Sequence, residues 1–172
     1  MAKIAVIGTG YVGLVSGACL ADFGNSVVCV DNNAEKIKAL EAGQIPIYEP
    51  GVEDVVVRNV EAGRLSFTVN LAEAIKSNDV AFVAVGTPPS DDGSADLRYV
   101  EQVAREIGRA MDSYKVIVDK STVPVGTGRK VQAWVQEELD KRGSTSVSML
   151  FQTPNFCGKG RLSKTLPTRI GS

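Results

Sequence analysis

Eleven residues near the N-terminus, KIAVIGTGYVG at positions 3–13, leave this chain few folds to choose from. A short apolar run ends at Gly8, and a helical pattern begins at about Tyr11. Gly-x-Gly-x-x-Gly placed between a buried strand and a helix has a mechanical reading. Gly8 permits the tight turn, Gly10 has no side chain to keep a pyrophosphate from the backbone, and Gly13 lets the helix pack closely on the strand. The N–H groups of the helix start at Tyr11 and Val12 then face a diphosphate. Asp31 stands 18 residues after Gly13, at the end of a second β-branched run. A carboxylate there can accept both ribose hydroxyls of an adenosine and would repel a 2′-phosphate, which implies NAD rather than NADP. Lys36 lies just beyond and borders the same ribose or adenine.

The alternation continues along the chain. Strands are expected at Lys3–Ile7, Ser26–Val30, Leu65–Val69, Val80–Val85 and Val116–Asp119. Helices are expected at Tyr11–Phe23, Ala34–Ala42, Val52–Ala62, Leu71–Lys76, Leu97–Met111 and from Gly126 or Thr127 to Arg142. Asn70 and Asp96 are the expected caps of two of them. Strands alternating with helices over tight connections make an α/β fold, a Rossmann-like doubly wound parallel sheet. Residues 1–143 form this domain, and the sheet is expected to be truncated before its last strands.

Composition narrows the function classes. Nineteen basic and 20 acidic residues leave a net charge of −1, which gives no electrostatic footprint for nucleic acid or an anionic membrane. No apolar run approaches the ~20 residues of a membrane span, and the N-terminus lacks the pattern of a signal peptide. The three cysteines, Cys19, Cys29 and Cys157, show no metal spacing, and an odd, scattered set fits a reducing cytoplasm. Cys19 and Cys29 are expected as small core residues, and Trp134 and Leu139 as packing residues of the last helix. With no histidine, acid–base chemistry falls to carboxylates, Lys, Tyr, Thr or Cys.

Two more loops sit at carboxyl ends of expected strands, GTPP at 86–89 and STVPVGT at 121–127. In open α/β sheets the ligand crevice lies there. Thr87 and Thr122 either hydrogen-bond a cofactor or a reacting oxygen, or serve as loop and cap hydroxyls; spacing leaves both readings open. The segment Tyr48-Glu49-Pro50-Gly51 is a rigid loop or part of a substrate wall, and Lys120 a functional cation or a solvent-facing strand end.

Taken together, GTGYVGL, VDNNAEKI, GQIPIYEPG, VGTPPSDDGSADL and KSTVPVGT resemble the N-terminal domain of the UDP-glucose 6-dehydrogenases, within the UDP-glucose/GDP-mannose dehydrogenase family. The resemblance runs from about Lys3 to Arg142. It implies an NAD-dependent, four-electron oxidation of a sugar C6 alcohol to a carboxylate, through a thiohemiacetal on a cysteine, with two NAD reduced. By matching motif, Val12, Asp31, Lys36, Thr87 and Thr122 are implied NAD contacts. Thr122 is also implied as an auxiliary catalytic residue that helps to manage a water. The implied substrate is a small-molecule UDP-sugar, related members acting on GDP-mannose or UDP-N-acetylmannosamine. The family homodimerises through a central helix that is not found here. Its nucleophilic Cys, a Lys and an Asn also come from later parts, and Cys157 matches no such motif. The other function class that fits is a stand-alone NAD-binding sensory or regulatory module.

Residues 144–172 read differently: apolar periodicity is gone, and the stretch has basic residues but no Asp or Glu. The expectation is a disordered tail. The run SMLFQTPNFCGKG, from Ser148 to Gly160, also reads as a family segment like FDVVSNPEFLREG translated one base out of frame. A single-nucleotide slip shortly before Ser148, followed by an early stop, accounts for it; the rival reading is a natural, unrelated tail. On the out-of-frame reading the tail supplies no strand, a sheet edge is exposed, and the final helix lacks its partner. Such a chain is expected to be of marginal stability, to bind NAD weakly and to leave UDP-glucose unoxidised on its own.

Overall fold

The computed structural model describes residues 1–46, 49–89, 95–144 and 148–152. Its elements in chain order are β1 (Lys3–Ile7), α1 (Tyr11–Asp22), β2 (Ser26–Val30), α2 (Ala34–Glu41), α3 (Val52–Glu61), β3 (Leu65–Thr68), α4 (Leu71–Ser77), β4 (Val80–Val83), α5 (Arg98–Ala110), β5 (Lys115–Asp119), α6 (Thr127–Lys141) and β6 (Ser148–Gln152). The strands form one sheet in the order β3-β2-β1-β4-β5-β6, and every neighbouring pair is parallel. This is the expected doubly wound sheet. The strand order reverses direction between β1 and β4, and a ligand crevice opens at the carboxyl ends of those two strands.

Strand alternation splits the core in two. Ile4 and Val6 of β1 face α1, α2 and α3, where Leu14, Ala18, Leu40 and Val56 close over them. Ala5 and Ile7 face the other side, under α4, α5 and α6, with Ile75, Val100, Ile107 and Val135. A sheet buried on both faces calls for apolar residues at successive positions, and β1 has four in a row, Ile4 to Ile7, all buried.

Helix ends follow local chemistry. Asn70 caps α4, its side chain accepting from the Glu73 N–H at 3.1 Å. Asp96 is not itself the cap of α5, whose cap position is Leu97. Its carboxylate accepts from the Arg98 N–H at 3.0 Å and grips the Arg98 guanidinium instead. Asn33, which the sequence reading passed over, caps α2 through the Lys36 N–H. At the far end of α5, the Arg142 guanidinium donates to the carbonyls of Gly108, Arg109 and Met111, satisfying orphan acceptors at the negative end of the helix dipole.

Three expectations need correction. First, Ser148–Gln152 forms β6, parallel to β5 from Lys115↔Ser148 to Asp119↔Gln152. The expectation of a tail without a strand from residue 144 fails because ladder hydrogen bonds come from the backbone and need no periodic side chains. Leu150 also packs on the core. Secondly, α6 does not lack a partner. It lies against α5, where Gly108 allows the approach: a Cβ on it would stand 2.7 Å from the Val135 carbonyl oxygen. Glu138 of α6 accepts from Arg105 and Arg109 of α5 and from Lys141. Thirdly, Cys29 is a core residue but Cys19 is exposed. The inward stripe of α1 is Leu14, Gly17, Ala18 and Ala21, and Cys19 falls outside it. Leu139 is fully buried and Trp134 packs at the rim of the same core, as expected. The expectations for Tyr48, for Cys157 and for the end of the tail lie outside the described residues.

Candidate functional site

The three glycines of the first turn do three different jobs. Gly8 has φ +99, a conformation that L side chains rarely adopt, and a Cβ on it would lie 2.6 Å from the Ala84 carbonyl oxygen after β4. Gly13 packs under the turn, where a Cβ would stand 1.8 Å from the Gly8 carbonyl oxygen. Around Gly10 there is open space, with nothing within 4 Å of the position a Cβ would take. Gly10 is also the N-cap of α1; it offers no side-chain cap, and the first turn has no acidic residue. The arrangement leaves the helix start able to meet an anion.

Asp31 closes β2 beside this turn. Its Oδ2 accepts from the Thr9 N–H at 3.0 Å, the Thr9 hydroxyl at 2.6 Å and the Lys36 ammonium at 2.9 Å. Its Oδ1 accepts from the Asn33 N–H at 3.1 Å. Burial pushes the carboxyl upward, but the hydrogen bonds from Thr9, Lys36 and Asn33 outweigh it and bring it down to about 2. Asp31 is therefore a carboxylate at any physiological pH, with lone-pair capacity left on Oδ1. Thr9 is wholly buried. Sequence reasoning missed it because it occupies a free position of Gly-x-Gly, and the only available signal was a hydroxyl two residues past the strand.

A cleft of about 500 Å³ runs from this corner along the crevice. Gly8, Gly10, Asp31 and Lys36 line it, together with Ala84, Val85, Gly86 and Pro88 from the turn after β4. So four of the residues expected from the sequence come together. Tyr11 and Val12 are exposed on the first turn of α1, outside the lining, and Gly13 lies beneath it. Thr87 and Thr122 do not line the cleft either. The Thr87 hydroxyl donates to the Thr122 carbonyl at 2.7 Å, tying the loops after β4 and β5 together. Glu49 is tied to the glycine turn from outside, its carboxylate accepting from the Tyr11 hydroxyl at 2.7 Å. The far wall of the cleft comes from α5, through Tyr99, Gln102, Val103 and Glu106, and the sequence reading named none of these.

Asp119 ends β5 next to these loops. It is buried, its Oδ1 accepts from the Ser121 N–H at 3.1 Å, and burial pushes its carboxyl up. Glu138, at the α5–α6 contact, is moved the other way: hydrogen bonds from Arg109 and Lys141, opposed by burial and helped by Arg105, hold it at about 2.

These shifts set an acid dependence. Asp31 and Glu138 titrate near 2 when folded, against ~3.9 and ~4.3 in an unfolded chain. The unfolded chain thus binds their protons first. Their contribution is complete above about pH 4.5 and is lost as pH falls toward 2. Asp119 acts with the opposite sign, since protonation relieves its burial. With two large depressions against one rise, the melting temperature is expected to be flat from neutrality to about pH 5 and to drop by several degrees toward about pH 2.5. Thermal melts across that range check it. Glu138→Gln should fall less steeply; an equally steep fall would remove Glu138 from the account.

A family model described as the NAD binding domain of the UDP-glucose/GDP-mannose dehydrogenase family matches residues 2–168. The UDP-glucose 6-dehydrogenase TuaD of Bacillus subtilis (strain 168) is 53% identical over 160 residues, 93% of this chain and 34% of that protein. Among solved structures, a UDP-glucose dehydrogenase from the hyperthermophilic archaeon Pyrobaculum islandicum superposes with a TM-score of 0.82 at 42% identity, over 91% of this chain and 36% of the other. A GDP-mannose dehydrogenase from Pseudomonas aeruginosa gives 0.82 at 35% identity, over 90% and 36%. The chain spans about a third of the length of the relatives it matches. The match covers nearly the whole of this chain, so it belongs to the UDP-glucose/GDP-mannose dehydrogenase family and carries that family's NAD-binding domain.

Proposed function

We propose that this chain holds NAD in the cleft between Asp31 and the α5 wall, and that it is the cofactor half of an NAD-dependent UDP-glucose 6-dehydrogenase. The observation that carries the reading is the pairing of a fully ionised Asp31 with the open backbone at Gly10 on one cleft. The residues present fit the cofactor. Gly10 and the start of α1 suit the diphosphate, Asp31 Oδ1 suits a ribose hydroxyl, and the Lys36 ammonium both holds Asp31 and borders the same ribose. Thr87 and Thr122 act on the nicotinamide side of the crevice by fixing one another's loops, and Thr122 is the auxiliary residue nearest the chemistry.

Bound NAD would supply the two-electron acceptor; conversion of an alcohol to a carboxylate needs two of them and one water. The relatives' name supports C6 of UDP-glucose as the position oxidised. The family resemblance implies that a nucleophilic thiol takes up the sugar aldehyde on the way to the acid. Cys29 is buried, its thiol pushed up to about 12 by that burial, and neither it nor Cys19 lines the cleft. The described residues therefore bind the cofactor without turning the sugar over. Free thiols and use of an NAD pool support a cytoplasmic location, and the relatives' substrate supports a role in supplying sugar acids for polysaccharide. Among the described residues no helix is long and apolar enough to cross a membrane.

Calorimetric titration of the purified chain tests the reading. NAD should bind at one site per chain, NADP at least about tenfold more weakly because its 2′-phosphate meets Asp31, and no NADH should form when UDP-glucose is added. Equal affinity for the two dinucleotides would count against the site; NADH formation would count against the division of labour.

A further inference from the structure

The α5 wall of the cleft has a chemistry that the proposed function does not use. Tyr99, Gln102, Val103 and Glu106 are spaced i, i+3, i+4 and i+7, so one helix face looks across the cleft at Asp31 and Lys36. Val30, Val69, Leu71 and Val103 make the intervening walls apolar, a slot suited to a flat ring. At its edge the Gln102 amide nitrogen donates to Glu106 Oε1 at 3.0 Å. A carboxylate can only accept, so it forces the amide to turn its NH₂ toward Glu106. That leaves two acceptors at the slot's edge, Gln102 Oε1 and Glu106 Oε2.

We propose that the Gln102–Glu106 pair reads the base of the bound dinucleotide, accepting hydrogen bonds from the 6-amino group of its purine. This rests on the reading that NAD occupies the cleft with a ribose at Asp31. Adenine presents two N–H bonds at its 6-position, which match two acceptors. A 6-oxopurine presents an oxygen there, which can pair with neither acceptor, and its nearest donor is the single N1–H beside it. A polar site rejects a ligand that leaves its groups unpaired more strongly than an apolar slot rejects an added atom. Gln102 is exposed and Glu106 half-buried, and water softens the discrimination.

The pair therefore makes the slot selective for an amino-bearing purine. It also explains why an acidic residue stands in a cleft that already holds Asp31. The alternative is that Gln102 and Glu106 are an ordinary i,i+4 surface pair, which would add little to the helix and be blind to the base.

Nicotinamide hypoxanthine dinucleotide, which replaces the 6-amino group by an oxo group and turns ring N1 from an acceptor into an N–H donor, separates the two. The full chain should bind NAD about tenfold more tightly than this analogue in calorimetric titration, a difference of the size expected for about one hydrogen bond to a charged group. Glu106→Gln keeps one acceptor and adds a donor that can turn to an oxo group. It should weaken NAD several-fold, strengthen the analogue and bring the ratio close to one. Gln102→Ala should reduce the ratio less, and both variants should melt with the parent. A ratio near one in the parent, or an unchanged ratio in folded Glu106→Gln while NAD still binds, overturns this inference and leaves the NAD site standing. Failure of the parent to bind either dinucleotide overturns both.

Discussion

Gly13→Ala unfolds the site rather than merely weakening it. The new Cβ would need the space 1.8 Å from the Gly8 carbonyl oxygen, a backbone atom that cannot swing aside. Relief requires α1 to lift from the turn between β1 and α1, and Leu14 and Ala18 would leave their places in the core with it. Overpacking of this kind costs about 3 kcal/mol or more, roughly a 10 °C fall in melting temperature for a chain of this size. NAD binding is expected to vanish together with the fold. Gly10→Ala is the matched comparison. Gly10 has φ −69, which alanine adopts freely, and its Cβ would project into open space. That variant should melt with the parent and still lose about tenfold or more in NAD affinity, because the methyl group occupies the diphosphate's approach. The two melts and two titrations separate glycine as packing residue from glycine as binding residue. A Gly13→Ala chain that melts and binds like the parent would show that the turn yields where the geometry says it does not.

The sequence disclosed most of this site because its constraints are local. Gly8, Gly10 and Gly13 are required by the backbone within one turn, and Asp31 by the end of the next strand, so spacing alone could place them. The strands of a doubly covered sheet were legible for the same reason, since Ile4 to Ile7 must be apolar on both faces. What stayed hidden depends on distant pairing. Thr9 matters through a carboxylate 22 residues away, and nothing in the text of Gly-x-Gly asks for a hydroxyl. Gln102 and Glu106 read as the solvent face of an amphipathic helix, and only the path of the chain after β4 turns that face toward β2. The bond between Thr87 and Thr122 joins loops 35 residues apart, so spacing could not choose between a cofactor contact and a loop tie. β6 was invisible in another way. Its side chains lack any alternation, yet the open edge of β5 offers a ladder of backbone groups that β6 takes up, with Leu150 packed on the core. Loss of side-chain pattern removed the signal without removing the pairing.

Asp31→Asn is expected to change which dinucleotide the chain prefers. The substitution keeps an oxygen that can accept from the Thr9 N–H, the Thr9 hydroxyl and Lys36, so the corner stays assembled and the buried Thr9 keeps a partner. What goes is the charge, together with the acceptor that Oδ1 offers the Asn33 N–H. The ribose hydroxyls lose a charge-assisted acceptor, an interaction of about 1.5–3 kcal/mol, and NAD affinity should fall roughly 10- to 100-fold. NADP should move the other way. In the parent, the Lys36 ammonium is neutralised by Asp31 at 2.9 Å, and with NADP in the proposed place the carboxylate would face the 2′-phosphate. In the variant, Lys36 becomes an uncompensated cation at the same spot, and a phosphate is the ligand such a cation favours. On the proposed reading the preference for NAD is a property of the pair: Lys36 alone would attract a phosphate, and Asp31 would cancel it. Because Asp31 sits near 2, the parent's preference should be flat with pH from about 5 to 8, and protonation cannot imitate the substitution in that range. Adding Lys36→Met to Asp31→Asn should remove the gain in NADP and leave both dinucleotides weak. Titration of parent, single and double variants with NAD and NADP checks each step. If NADP binds Asp31→Asn no better than the parent while the variant remains folded, discrimination against the 2′-phosphate lies in the shape of the cleft and not in this charge pair.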